Sequence, residues 1–371
     1  MAPLSLLLWH LGRRGGGPRY TLELAKSLKD LPEIRLSLAL SPQSELFAET
    51  HALGLPTLAI STYRDAAGFL AGLARLPAIR AQLAEFVRQQ RATIALCSMT
   101  HLWTPFLVGP IHRAGARHVL VVHDAAPHPG DNYGVRNLLM KNDFRQADLL
   151  VSLTDDVGRR LVAEQGVPPG KIIASRLGPF RYGEGRIEPR SLGKGPFRLL
   201  FFGRLLPYKG LDRLVEAMRL LAEESFPAHL RLVGQGPLQF EELPANITLE
   251  RRWVPEEEVP ALFAESDLVV LPYQEASQSG VLPIAQHLAL PALVTPVGGL
   301  LQQVEDGRSG FVAGDASAAG LSGAIRSVLG DQEAYRALSQ RLAERSSAQQ
   351  WQEIAARLVA DLRTRLAPER A

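Results

Sequence analysis

The chain reads as an α/β protein made of two doubly wound parallel-sheet domains, and three observations predict this. Short apolar runs recur along the 371 residues, each broken by glycine, proline or histidine and then followed by a stretch with helical spacing. The length exceeds what one hydrophobic core normally serves. The rhythm also stops once, across Gly178–Pro196, a stretch rich in Gly, Pro and Arg without periodicity, and restarts at Phe197. We therefore expect a first domain over 1–180, a linker over 181–196 and a second domain over 197–371, with a closing helix near 349–366.

In chain order, Leu4–Trp9 is a buried strand, followed by the loop His10-Leu11-Gly12-Arg13-Arg14-Gly15-Gly16-Gly17-Pro18-Arg19 and a helix over Tyr20–Leu28. Three consecutive glycines remove every Cβ, so that backbone N–H groups can approach a ligand closely. A dinucleotide fingerprint fits poorly, because the spacing is not G-x-G-x-x-G. In addition, the second strand, Ile34–Leu40, ends in Ser41-Pro42-Gln43 where an acidic ribose ligand would stand. A purely structural turn is the other reading. Residues 68–91 form one or two amphipathic helices with Arg75, Arg80, Arg88 and Arg91, expected to break near Pro77.

Thr93–Cys97 and His118–Val122 are further strands, the second delivering His123-Asp124 at its carboxyl end. His128 and Asp131 follow closely, but no Cys, Asp-x-Asp or His-x-x-x-His pattern supports a metal site. Asp148–Leu153 and Lys171–Ala174 read as strands and Val157–Gln165 as a helix. After Phe197 come strands at Leu199–Phe202, Leu230–Val233, Ile247–Leu249, Leu268–Leu271 and Ala292–Val294. Helices are expected to start at Glu256 and Gly280, and the last covers Gln349–Leu366.

Composition excludes several classes. A lone cysteine, Cys97, rules out a disulfide framework and a cysteine metal cage. No apolar run reaches the length of a spanning helix, and Leu4–Trp9 is too short for a signal-peptide core. A cytoplasmic protein is expected. Net charge is +3, but residues 1–185 carry 21 Lys+Arg against 15 Asp+Glu, and the remainder 20 against 23. A basic first half suggests peripheral contact with an anionic membrane at its inner face; nucleic acid is not expected, since no basic run is interleaved with aromatics.

The strongest single stretch is Leu199–Met218. An apolar strand breaks at Gly203, Arg204 and Lys209 flank a turn at Pro207, and a helix follows with Leu211, Leu214, Val215 and Met218 on one face. Strand, basic turn and helix start form an anion site, since the helix terminus adds free N–H groups and a partial positive charge. Solvated loop charges are the bland alternative.

Taken together, these motifs resemble the retaining glycosyltransferases of family 4, which have the GT-B fold of two Rossmann-like domains facing a cleft. The second half carries the likeness in order: FFGRLLPYKGLDRL, VGQGP (Val233–Pro237), WVPEEEVPALFAESDLVVLPY (Trp253–Tyr273) and the region from Glu275 to Val312. The first half is similar more loosely, through GGGPR, VVHD and SLTDDV. The resemblance implies a nucleotide-sugar, UDP- or GDP-linked, as co-substrate without further cofactor or metal, and a glycan or lipid-linked acceptor. It also implies that the last helix returns to the first domain.

By the same resemblance Arg204 and Lys209 bind the diphosphate, and Gly203 and Gly234 shape the turns beneath it. Ser279, Gly280 and Val281 offer backbone N–H groups, Arg252, Trp253 and Val254 line the base pocket, His123 serves the sugar, and Gly16 and Gly17 close over the donor. The sequence departs from the family at its Glu-x7-Glu pair. Counted from Glu275, the second position is Pro283; aligned from Pro291, the pair is Ala276 and Ile284. Glu275 remains a candidate for the donor hydroxyls. An epimerase or hydrolase on the same fold, or a non-catalytic donor-binding subunit, are the competing readings.

Overall fold

The computed structural model describes residues 3–63, 65–127, 133–183, 185–193, 195–240 and 242–366. His128 and Asp131, weighed above as metal ligands, lie outside these. By contacts the chain divides into two units, the second covering Gly178–Ser347 and the first taking Ala348–Ala371 together with the N-terminal half.

The first unit is a seven-stranded parallel sheet. Its strands are β1 (Leu4–His10), β2 (Ile34–Leu40), β3 (Thr57–Ala59), β4 (Ile94–Cys97), β5 (Arg117–Val122), β6 (Leu149–Ser152) and β7 (Ile172–Ala174), in the order β3-β2-β1-β4-β5-β6-β7. Leu6, Leu7, Leu8 and Trp9 are all fully buried, which is why β1 reads as a continuous apolar run rather than an alternating one. The helix Asp155–Gln165 shows how local sequence sets the ends. Thr154 caps it by accepting from Val157 N–H, and Gly166 stops it in the left-handed region at φ 67°.

One expectation changes here. The helix Ala66–Gln89 runs through Pro77 without a break. Pro77 is exposed, so solvent can satisfy the carbonyl it leaves unpaired. Buried Leu76, Ile79, Leu83 and Val87 hold both halves on one core. As the resemblance implied, the last helix, Ser347–Leu366, belongs with the first unit, and the second unit ends at Ser347. Fully buried Trp351 meets Tyr20 edge-on at 5.5 Å, and Arg363 and Arg365 donate to the carbonyls of Glu33 and Gly170 at 3.0 and 2.8 Å.

The second unit is a six-stranded parallel sheet of β8 (Phe197–Phe202), β9 (Ala228–Gly234), β10 (Ile247–Arg251), β11 (Leu268–Leu271), β12 (Ala292–Val294) and β13 (Phe311–Val312), in the order β10-β9-β8-β11-β12-β13. Its helices begin a little later than expected, at Val259 and Leu282. Part of the expected linker is tied down: the Arg190 guanidinium donates to the carbonyls of Phe263, Ser266 and Leu288 at 3.1–3.2 Å, and its N–H to Ser339 Oγ at 2.7 Å.

Each sheet reverses its strand order once, between β1 and β4 and between β8 and β11. The carboxyl ends of such a pair diverge into a crevice, which is where open α/β sheets bind ligands.

One buried acid makes a stability prediction. Asp143, 2% exposed and beside Cys97, has its carboxyl pushed up to about 7 by burial. An unfolded carboxyl ionises near pH 3.9, so between about pH 4 and pH 7 the unfolded chain sheds a proton that the folded chain keeps, and stability falls as pH rises. Asp143→Asn should therefore raise the thermal midpoint at pH 7.5 and lose that advantage toward pH 4. An equal or lower midpoint at pH 7.5 contradicts this.

Candidate functional site

In the second unit the site is built at the exits of β8 and β11. Gly203 leaves β8 at φ 141° and Gly234 leaves β9 at φ 157°; a Cβ on Gly234 would stand 1.7 Å from Gly203 O. No side chain fits there, so the two strand ends are locked backbone to backbone, with Gly203 N–H donating to Val233 O and Leu205 N–H to Gln235 O. The chain then makes a short 3-10 turn over Pro207–Lys209, and Gly210 at φ 66° starts the helix Leu211–Glu223. A Cβ on Gly210 would meet Pro272 O at 2.0 Å, so this helix start is seated on the exit of β11.

That seating fixes both cations. Lys209 Nζ lies 3.5 Å from the centre of the Tyr273 ring and 4.8 Å from that of Tyr208. Arg204 is exposed and donates through Nη2 to Tyr208 Oη at 3.0 Å. Such ring contacts hold an ammonium in place. Tyr273 is buried, which raises its phenol well above the ordinary range; it stays neutral and shares a hydrogen bond with Ser279 Oγ at 3.2 Å. The sequence placed Arg204 and Lys209 here, but not the two tyrosines that aim them.

The loop after Tyr273 is clamped from behind. Gly298 and Gly299 pass so close that a Cβ on either would stand 2.2 Å from Ala276 O or 1.8 Å from Ser277 O. Gln303 grips the Ser279 residue twice, accepting from its N–H at 2.6 Å and donating to its carbonyl at 3.1 Å, while Val281 N–H donates to Ser279 Oγ at 3.2 Å. Two of the three expected backbone donors, Ser279 and Val281, are thus already used, by Gln303 and by Ser279 Oγ, and Gly280 between them is exposed. Val281 reaches toward Gly203 and joins the loop to the β8 exit. Glu275 sits half-buried on this loop. Gln303 was not legible, because its partner lies 24 residues away in a separate turn.

Arg252, Trp253 and Val254 follow β10. Arg252 is held by Glu250 at 3.2 Å and Glu258 at 2.6 Å, and Arg231 also pairs with Glu250 and with Glu265. The Arg252 side chain is committed to carboxylates, while Val254 is buried and Trp253 half-buried. Among the described residues no group of acids, histidines and cysteines could hold a metal ion.

The first unit gathers its candidates at the β1–β4–β5 exits. His123 Nε2 donates to Ser98 O at 2.9 Å, which leaves Nδ1 carrying the lone pair of a neutral ring. Burial lowers its pKa, with the Ser98 carbonyl opposing. Tyr20 meets it edge-on at 5.3 Å. His10 and His101 are lowered to about 3 and about 4, chiefly by burial, so neutral imidazoles line this edge. Gly16 and Gly17 differ: Gly16 is exposed with open space around it, whereas Gly17 is buried against His10. His10 was read from the sequence only as part of the loop.

Comparison with known proteins gives the family and the fold. Residues 196–331 match the family described as glycosyl transferases group 1, and residues 15–178 match the glycosyl transferase 4-like domain. A D-inositol 3-phosphate glycosyltransferase of Geodermatophilus obscurus is 32% identical over 220 residues, 53% of this chain and 48% of that protein. The chain thus spans about half the length of this curated relative. In fold, the HepE protein of Anabaena in complex with UDP-glucose superposes with a TM-score of 0.68 at 17% identity, covering 96% of this chain and all of that one. A UDP-N-acetylglucosamine 2-epimerase of Listeria monocytogenes gives 0.60 at 14%, covering 100% and 99%.

The clamp on the loop is testable. Gln303→Ala removes two hydrogen bonds and strands the buried Ser279 N–H, so unfolding in urea should show a loss of about 1–3 kcal/mol. No measurable loss would mean the clamp does not hold this loop.

Proposed function

The chain belongs to the group 1 glycosyltransferases, and from that premise we propose that it moves a sugar from a nucleotide-sugar to a glycan or lipid-linked acceptor with retention of configuration. The observation that carries this is the Arg204–Lys209 turn, two fixed cations at a sheet switch point. In the reaction the bond between the anomeric carbon and the distal phosphate oxygen breaks, and the acceptor oxygen forms the new bond on the same face. The acceptor proton passes to the departing phosphate oxygen. Negative charge grows on the leaving diphosphate, and preorganised cations lower that barrier because they need no reorganisation. Arg204 and Lys209 do this here, with Gly280 N–H beside them.

Metal-independent transfer follows from the same turn, since its two cations take the place of a divalent ion. His123, with Nδ1 as acceptor, suits a sugar hydroxyl. Glu275, half-buried on the loop after Tyr273, is the candidate for the donor sugar hydroxyls, and it acts by hydrogen bonding rather than as a nucleophile. The donor is a UDP- or GDP-sugar; UDP is tried first because HepE was determined with UDP-glucose.

The acceptor side points to a membrane. Among the described residues no helix is long and apolar enough to cross one. Residues 66–117, however, contain six arginines and the single acid Glu85. Helix Ala66–Gln89 turns Leu70, Leu73, Pro77, Arg80, Ala84 and Arg88 to one side. Gly72 rests on the Trp103 ring, which brings exposed Leu102 and Phe106 alongside. Arg80, Arg88 and Arg113 line a groove of about 480 Å³ between this helix and Thr104–Arg113. Apolar side chains beside arginines, with almost no acid, fit the surface of an anionic bilayer.

Arg204→Ala and Lys209→Ala should each lower kcat by about 10²–10³, the cost of removing one charge-stabilising group. Wild-type turnover in both would sink the assignment. Transfer should persist in excess EDTA, and loss restored by Mg²⁺ would refute metal independence. Nucleotide release without acceptor, or a changed sugar still on its nucleotide, would favour hydrolysis or epimerisation.

The membrane claim is tested by sedimentation with vesicles. The chain should pellet with phosphatidylglycerol-containing vesicles and not with pure phosphatidylcholine, and Phe106→Glu or Arg80→Glu with Arg113→Glu should reduce that binding several-fold. Equal recovery with both lipids contradicts it.

A further inference from the structure

His10 is the last residue of β1 and stands at the point where the first sheet reverses order. Its side chain is 2% exposed, and neither ring nitrogen has a hydrogen-bond partner among the described residues. A buried imidazole without partners loses its hydration and gains nothing polar in return. Its surroundings show what the ring does instead. A Cβ added at Gly12 would stand 2.7 Å from His10 Nε2, and one added at Gly17 would stand 2.7 Å from His10 Cε1. Gly12, in the loop after β1, and Gly17, in the first turn of the helix Gly16–Lys29, are therefore both required by the same ring. Met99 Sδ, 2.9 Å from the Gly17 position, is the end of a flexible side chain and can give way. Gly16, between them, has nothing within 4 Å.

The helix start seated on this ring is also linked to His123, since Thr21 stands one turn further along the same helix. Thr21 Oγ1 donates to Gly17 O at 2.7 Å, so it must accept the hydrogen of Ser98 Oγ, 2.6 Å away. Ser98 O in turn accepts from His123 Nε2. Thr21 and Ser98 are 1% and 0% exposed, so water does not compete for these bonds. On the far side Gly15 N–H donates to Glu45 Oε1 at 2.8 Å.

We propose that His10 is a positioning residue: its ring sets the height of the Gly12–Gly15 loop and of the helix start at Gly16 and Gly17, and Thr21 and Ser98 lock that height in register with His123. The glycine at 17 serves internal packing, and only Gly16 serves a ligand. This rests on the reading of Gly16 and His123 as donor-side groups.

The test is a double-mutant cycle on the full chain with His10→Ala, Gly17→Ala and the pair, measured as kcat and donor KM with the accepted nucleotide-sugar. Gly17→Ala alone should lower kcat/KM at least tenfold, and in the His10→Ala background the same change should cost less than threefold. Equal losses in both backgrounds would overturn the proposal. Gly16→Ala should raise donor KM by the same factor whether residue 10 is His or Ala; dependence on residue 10 would also overturn it. Thr21→Val, which leaves the ring contacts untouched, should lower kcat severalfold with donor KM held when assayed well below its thermal midpoint; unchanged kcat refutes the link to His123. The cycle is also read without donor, as thermal midpoint and amide exchange at residues 12–18. Coupling there with no transfer by the wild type would fail the glycosyl-transfer reading and keep the packing, whereas additive midpoints would fail the packing itself.

Discussion

The basic turn of the second unit depends on two of the places where backbone meets backbone without room for a side chain. Gly234 lies against the Gly203 carbonyl at the β8 exit, and Gly210 lies against Pro272 at the β11 exit. Each contact lets a strand end approach its neighbour more closely than any Cβ permits. Together they place a short basic turn directly over the crevice between the strands that diverge. Arg204 and Lys209 have their positions because of these glycines, and the rings of Tyr208 and Tyr273 then fix their directions. A methyl group at Gly210 or Gly234 would displace the turn before it touched any charge.

The first unit repeats the arrangement with a different chemistry. Its switch point carries neutral imidazoles rather than cations, kept neutral by burial, and its glycine loop is seated on one of them. A hydrogen-bond acceptor suits a sugar hydroxyl, whereas a fixed cation suits a diphosphate. The proposed division of labour between the units rests on what each places at its strand ends.

Much of this was visible in the sequence, and the physical reason is local. Buried parallel strands leave continuous apolar runs such as Leu199–Phe202, and turns that need φ above zero leave glycines such as Gly203 and Gly210. Arg204 and Lys209 lie within six residues of one another, so their partnership could be read directly. What was hidden depends on distance along the chain. Gln303 and Ser279 are 24 residues apart, and His10 and Gly17 meet only because a strand and a helix fold back on each other. Pro77 misled for the opposite reason: a local rule predicted a break, and tertiary packing of Leu76, Ile79 and Leu83 overrode it. The Ser279 and Val281 N–H groups looked available because sequence does not show which donors are already spent.

The central claim is that the Arg204–Lys209 turn reads the diphosphate of the donor. The most direct measurement is calorimetric titration of the wild type and the Arg204→Ala, Lys209→Ala double variant with a nucleoside diphosphate and with the corresponding nucleoside. The account predicts that the wild type binds the diphosphate far more tightly than the nucleoside, and that the double variant loses this increment while its nucleoside affinity is unchanged. A double variant that still prefers the diphosphate by the wild-type margin would contradict it.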